Sequence, residues 1–270
     1  MTENYVNLLR ILKSYGSVAV AFSGGVDSTF LLKAAHEALG DHAVAVTAAI
    51  EAVPERELEE AKNFCAALGV RHIIVRPDVM GLPGFYENPP DRCYHCKKRI
   101  FSALVQAAHE SGAAVVAEGS NLDDEGDYRP GLRAIAELKV QSPLRAAGMT
   151  KAMIRACSKE LGLDTWDKPS CACLASRFAY GETITPDGLR RVDAAEAFLH
   201  DLGFRQVRVR VHGELARIEA EPEAIPRLAA PELRTDVNEK LRALGFAYVA
   251  LDMKGYRTGS MNEILTKENP

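Results

Sequence analysis

No stretch of this 270-residue sequence stays apolar for long. Its nearly apolar runs, such as HAVAVTAAI at 42–50, fall far short of the roughly 20 residues a helix needs to cross a bilayer, so no membrane-spanning helix is expected. The opening MTENYVNLLRILKSYG has no basic segment followed by an apolar core and does not read as a secretory signal. Positive charge is not in excess either. A net charge of −4 and a pI near 6.0 count against a protein that coats nucleic acid through a global positive field. Internal repeats and low-complexity tracts are absent, which excludes solenoids and compositionally biased chains. These absences lead us to expect a cytoplasmic protein with neither membrane nor nucleic acid as its partner.

Apolar residues make up 47% and charged residues 26%, an ordinary balance for a chain that buries a core. The length admits one large domain or two moderate ones. The first half alternates short β-rich runs with helical patterns. SVAVAFSGG (17–25), HAVAVTAAI (42–50), RHIIVR (71–76) and AAVVAEGS (113–120) read as strands. The segments from 28, from 54 and over 93–110 read as helices, with Asp27 expected to cap the first of them. Strands alternating with helices predict an α/β fold with a mostly parallel sheet covered on both faces. After about residue 180 the order is helix, strand, strand, helix, strand, which predicts a smaller C-terminal α+β domain. The expected division is 1–165, a cysteine-bearing junction at 166–185, and 186–270. No coiled-coil pattern argues for a homo-oligomer, and the oligomeric state stays open.

SGGVDS, from Ser23 to Ser28, follows a strand and opens a helix. The amides of such a turn, with a helix N-terminus behind them, make a nest for phosphate. Gly24 and Gly25 permit close backbone approach, and Ser23 and Ser28 add hydroxyls. The turn is neither a Walker A loop nor a G-x-G-x-x-G dinucleotide loop. Taken alone, it fits equally a tight structural turn.

Six cysteines in a reducing compartment do not predict a disulfide framework. Cys93 and Cys96, in RCYHC, stand at i and i+3 beside Arg92, Lys97, Lys98 and Arg99. Cys171 and Cys173 lie in PSCACLASR, just before Arg177. Four soft ligands in two pairs suit tetrahedral zinc, an iron–sulfur cluster or a reactive thiol, or else are small buried apolar residues. Arg177 reads as a group that steadies a carboxylate or lowers a thiol pKa, or as an ordinary ion-pair partner. Cys65 and Cys157 lie on apolar helix faces and read as core. Arg208 and Arg210, two apart in VRVRV, share a strand face and can clamp a phosphate, or else face solvent. Arg133 in DYRPGLRA (127–134) reads as an active-site arginine or a solvated loop arginine, and Arg257 in GYRTGS (255–260) as part of an anion loop or of a plain polar turn. Glu196 reads as a surface glutamate, with metal or substrate contact as the alternative.

AFSGGVDS and AEGSNLDD (117–124) together resemble the signature of the PP-loop ATP pyrophosphatases. The resemblance implies a fold similar to the adenine nucleotide α-hydrolases and cleavage of ATP between its α and β phosphates. It also implies that Ser23, Gly24, Gly25, Val26, Asp27, Ser28 and Gly119 line the nucleotide, with Mg2+ drawing on Asp27. NPPDRCYHCKKRIF (88–101), SPLRAAGMTKAMIR (142–155), KPSCACLASRFAYG (168–181), RVRVHG (208–213) and DMKGYRTGSMN (252–262) extend the likeness over nearly the whole chain. Together they resemble LarE-type sulfur transferases of nickel-pincer cofactor synthesis. The resemblance implies adenylation of a nicotinic-acid-derived mononucleotide and its conversion to a thiocarboxylate. Arg133, Arg208, Arg210 and Arg257 would bind that substrate, and Cys171, Cys173 and Arg177 would act in catalysis. One variant of the family sacrifices a cysteine sulfur; another is similar in holding a 4Fe-4S cluster on three cysteines. Two cysteine pairs favour the second, with Cys93, Cys96 and Cys173 as ligands and Cys171 next in line. The rivals are a PP-loop tRNA thiolase, an ammonia-using ligase and a nucleotide-binding module with structural zinc.

Overall fold

Along the strand Val18–Ala21 (β1), Val18 and Val20 enter one apolar cluster while Ala19 enters another. That two-residue alternation sets the architecture of the first unit, because both faces of the sheet are covered. The structure is a computed structural model and describes residues 2–124, 130–257 and 259–262. Its chain forms two units: Met1–Leu82 with Asp91–Cys171, and Pro83–Pro90 with Ala172–Pro270.

The first unit runs α1 (Glu3–Ser14), β1, α2 (Val26–Leu39), β2 (Ala43–Ala48), α3 (Glu55–Leu68), β3 (His72–Val75), α4 (Arg92–Glu110), β4 (Val115–Ala117), α5 (Pro130–Glu137), α6 (Pro143–Ala146) and α7 (Lys151–Glu160). The sheet order is β3-β2-β1-β4, with every pairing parallel. The predicted α/β fold is therefore present, and the four strands fall inside the runs read from the sequence. On one face, Leu8, Leu12, Phe30, Leu31 and Ile154 pack with Val18 and Val20. On the other, Leu104, Ala107, Ala108 and Ile135 pack with Ala19, Val44 and Val46. Cys65 and Cys157 are buried in the first of these clusters, and burial pushes the Cys65 thiol up to about 12. Gly69 ends α3 with φ +74, the left-handed cap that glycine adopts without steric cost.

The second unit contains α8 (Pro186–Asp201), β5 (Val207–His212), β6 (Leu215–Ala220), α9 (Ile225–Ala229), α10 (Pro231–Ala243) and β7 (Tyr248–Leu251). Thr185 caps α8 by accepting the Gly188 amide at 3.0 Å. The sheet order is β5-β6-β7, antiparallel then parallel, and it is the small second sheet of an α+β arrangement. Residues 83–90 are an integral part of this unit. Buried Asn88, at φ 51, donates to the carbonyls of Phe178 (3.3 Å) and Ala179 (2.7 Å). Its own carbonyl accepts the Gly181 amide, and Tyr86 accepts that of Ile184. Asparagine tolerates this left-handed backbone better than most side chains do.

Candidate active site

β1 pairing continues through Phe22, whose amide donates to Val46 at 2.9 Å. The Phe22 carbonyl accepts the Thr47 hydroxyl at 2.7 Å. Since that hydrogen is spent, His72 Nε2, 2.7 Å from Thr47 Oγ1, is the donor of the next bond. This chain fixes the strand end from which Ser23, Gly24 and Gly25 depart. Gly24 takes φ +71, a left-handed value that costs an L side chain about 1 kcal/mol or more. Ser28 Oγ accepts the Ser23 amide (3.3 Å), lies 3.1 Å from Ser23 Oγ and donates to the Gly25 carbonyl (3.2 Å).

Gly25, not Asp27, is the N-cap of α2, and no side chain caps that helix. The expected capping role of Asp27 is thus corrected. Asp27 lies one residue inside α2, which begins at Val26, and its carboxylate is engaged elsewhere. It pairs with Lys151 Nζ and accepts from Asn121 Nδ2 at 3.4 Å. An uncapped helix start whose first amides meet no side chain suits an incoming anion.

Gly119 brings the second loop against this turn. A β-carbon there would stand 3.1 Å from the Ser28 amide nitrogen and 3.2 Å from Asp27 Cβ. Buried Glu118 holds the loop, accepting the Ser120 amide (3.0 Å) and hydroxyl (2.7 Å) and the Ser142 hydroxyl. Two of the atoms that a side chain at 119 would strike belong to α2 backbone and cannot swing aside. Gly119→Ala is therefore expected to cost about 1–3 kcal/mol and to weaken nucleotide binding. Urea unfolding and calorimetric titration with ATP measure both; an unchanged midpoint and affinity would contradict the close packing.

Two lysines join the site that residue patterns did not single out. Lys151 opens α7 on Asp27. Lys168 Nζ donates to the Gly24 carbonyl (3.1 Å), Glu57 (2.7 Å) and Glu60 (2.7 Å). Both lie in segments that carried the family likeness, but their partners are distant in the chain.

Cys93 is exposed in the first turn of α4, with Arg92 Nη2 donating to its sulfur at 3.5 Å. Cys96 is buried, one turn on; Cys171 and Cys173 are exposed. Cys171 closes the first unit and Ala172 opens the C-terminal part of the second. Within either unit, no three His, Cys, Asp or Glu among the described residues gather as a metal-holding group.

Arg177 is 1% exposed. It forms a two-point ion pair with Glu196, Nε to Oε1 at 2.9 Å and Nη2 to Oε2 at 2.7 Å. Its Nη1 donates to the carbonyls of Ala172 (2.6 Å) and Cys173 (3.2 Å). Of the readings open for Arg177, the geometry is that of an ion-pair partner that also grips the cysteine segment. Glu196 is likewise corrected: it is buried, and it also accepts the Val209 amide at 2.8 Å.

Arg208 and Arg210 are both buried, so the solvent-facing alternative does not hold. Arg208 lies over the Tyr256 ring, 5.3 Å from its centroid. Arg210 binds Glu219 through Nε (2.9 Å) and Nη2 (2.8 Å), and also Ser260 Oγ and the Ser176 carbonyl. Arg217 reaches Glu219 as well, while Arg257 pairs with Asp252 at 3.3 Å. Arg133 is not at the phosphate turn. It is exposed on α5, stacked 3.9 Å from the Tyr94 ring centroid and paired with Glu137. Residues 127–129 of its segment, and Thr258 beside Arg257, lie outside the described residues. No helix among the described residues is long and apolar enough to cross a membrane.

A parallel sheet whose first strand runs into SGGVDS, with a glycine of the fourth strand's loop against the helix start, is the construction of the PP-loop ATP pyrophosphatases. In agreement, the family model described as queuosine biosynthesis protein QueC matches residues 17–84. Pyridinium-3,5-bisthiocarboxylic acid mononucleotide synthase of Lactiplantibacillus plantarum is 42% identical over 96% of this chain and 94% of its own length. The chain belongs to the family of that synthase, the LarE-type sulfur transferases. An uncharacterized protein of Synechocystis sp. is 41% identical over 97% of both chains. Argininosuccinate synthase of Natronomonas pharaonis is 30% identical over 54% of this chain and 39% of its own.

Proposed function

We propose that the protein uses ATP and Mg2+ to activate the carboxylate of a pyridinium mononucleotide and then converts it to a thiocarboxylate. The observation that carries this reading is the phosphate turn: an uncapped helix start, Gly24 at positive φ and Gly119 in close contact. Full-length similarity to the synthase supports the substrate class. A carboxylate oxygen attacks the α-phosphorus of ATP, the bond to the bridging oxygen breaks, and pyrophosphate leaves. A sulfur nucleophile then attacks the acyl carbon, the carbon–oxygen bond breaks, and AMP leaves with the electron pair. Ser23, Gly24, Gly25, Val26 and Ser28 hold the phosphates, and Asp27, exchanging its Lys151 partner, would hold Mg2+, which would neutralise pyrophosphate charge.

Arg208, Arg210 and Arg257 supply positive charge for the substrate phosphate. Arg217, beside Glu219, adds a further cation to this group. The donor chemistry of Cys93, Cys96 and Cys173 fits an iron–sulfur cluster: soft thiols, two of them one helical turn apart in α4. These three would hold it, and when bound it would supply the sulfide that the acyl group receives. Arg177, through the carbonyls of Ala172 and Cys173, positions the sulfur-bearing segment.

Incubation with ATP and a carboxylated pyridinium mononucleotide tests the reading. AMP and pyrophosphate are expected in equal amounts, dependent on the mononucleotide. Release of ADP, or AMP formation indifferent to the carboxylate, would refute it.

A further inference from the structure

The segment that bears Cys171 is rooted in the phosphate turn through one ammonium group. Lys168 Nζ has three N–H donors, and three acceptors surround it: the Gly24 carbonyl, Glu57 and Glu60. The side chain is 16% exposed. Burial acts to lower its pKa, but the two carboxylates outweigh it and hold the group above the ordinary lysine value. It is therefore a permanent cation at neutral pH. Its main chain is held as firmly. Arg155 Nη2 donates to the Lys168 carbonyl at 2.9 Å and Nη1 to that of Trp166 at 2.6 Å. Arg155 lies four residues after Lys151 on α7, so one helix face serves both Asp27 and this root. Pro169 and Ser170 alone separate Lys168 from Cys171.

The carbonyl that Lys168 holds belongs to the same peptide unit as the Gly25 N–H. A cation on the oxygen polarises that unit and makes the N–H a stronger donor. An anion that accepts from the N–H makes the oxygen a stronger acceptor in return. Phosphate turn and lysine are thus coupled through a single peptide group.

We propose that Lys168 is a positioning residue that links nucleotide activation to sulfur delivery: an anion held by the turn tightens its grip on Gly24 and so orders the segment bearing Cys171. This rests on the turn being the site of the ATP pyrophosphate. The coupling makes the cysteine segment well placed when the turn is filled and looser when it is empty.

Amide hydrogen exchange over residues 170–176 of the full chain tests it. Exchange is compared alone, with magnesium pyrophosphate, and with an ATP analogue carrying a methylene between the α and β phosphorus atoms. Calorimetry confirms saturation. In the wild type, exchange is expected to slow by about fivefold or more, the low end of couplings between sites. Lys168→Met is expected to bind the analogue and lose the slowing, and Lys168→Arg to recover part of it. Lys168→Gln is read in the same way if the methionine variant does not fold. A merely structural lysine would not make exchange depend on ligand. No slowing in wild type with ligand bound, or full slowing in the methionine variant, overturns the proposal. Failure of the wild type to bind either probe in the calorimeter overturns the ATP reading itself, and the coupling with it.

Discussion

Replacing Cys173 by serine is expected to stop thiocarboxylate formation, by about a thousandfold or more, while AMP and pyrophosphate release continues. Activation needs the phosphate turn and a carboxylate, and Cys173 belongs to neither. Sulfur delivery needs a thiolate, as ligand or as donor, and a hydroxyl is a poor substitute for both. Product analysis by mass spectrometry alongside a pyrophosphate assay separates the two steps. Iron and acid-labile sulfide, measured after anaerobic purification, are expected in the wild type and lost in Cys93→Ser, Cys96→Ser and Cys173→Ser. A colourless wild type holding stoichiometric zinc would sink the cluster. A chain lighter by about 34 Da after turnover, one hydrogen sulfide, would show instead that a cysteine surrenders its own sulfur. Undiminished transfer in the Cys173 variant, with loss in Cys171→Ser, would move the role two residues back.

Glu196→Ala is expected to destabilise the protein by about 3–5 kcal/mol, the cost of leaving one partner of a buried ion pair behind. Arg177 is 1% exposed and cannot reach water without repacking. The Val209 amide loses its acceptor in the same stroke. Urea unfolding followed by circular dichroism measures the loss. Joint replacement, Arg177→Met with Glu196→Leu, is expected to cost less than Glu196→Ala alone, because no charge is stranded. The double variant should nonetheless transfer sulfur poorly, since the carbonyls of Ala172 and Cys173 lose their common donor. A double variant as active as the wild type would show that this grip does not position the cysteine segment.

Elements with a local signature were open to reading from the sequence. β1 to β4 show as short β-rich runs, α3 shows between its proline and Gly69, and β5 and β6 flank a Gly-Glu turn. SGGVDS was legible because close backbone approach admits little besides glycine, whereas Gly119 was reached only through the family resemblance of AEGSNLDD. The electrostatic framework was not legible, for a physical reason. Lys151 meets Asp27 across 124 positions, and Lys168 meets Gly24 across 144. No hydrophobic period marks such pairs, because they depend on how the elements stack. Arg208 and Arg210 were correctly placed on one strand face. Whether that face was wet or dry depended on Glu219, whose partner strand neutralises it. Glu196 was misjudged in the same way: a charged residue on a helix looks solvent-facing until its arginine is found.

The strap at Pro83–Pro90 has a consequence for how this protein can be cut and recombined. A fragment starting at Ala172 would carry all three strands of the small sheet but lack Asn88 and Tyr86, leaving the carbonyls of Phe178 and Ala179 and the Ile184 amide unmatched. The C-terminal unit is therefore not a cassette. Grafting it between relatives requires transplanting two separate pieces of chain, and a nascent chain has its strap made long before the sheet that the strap completes.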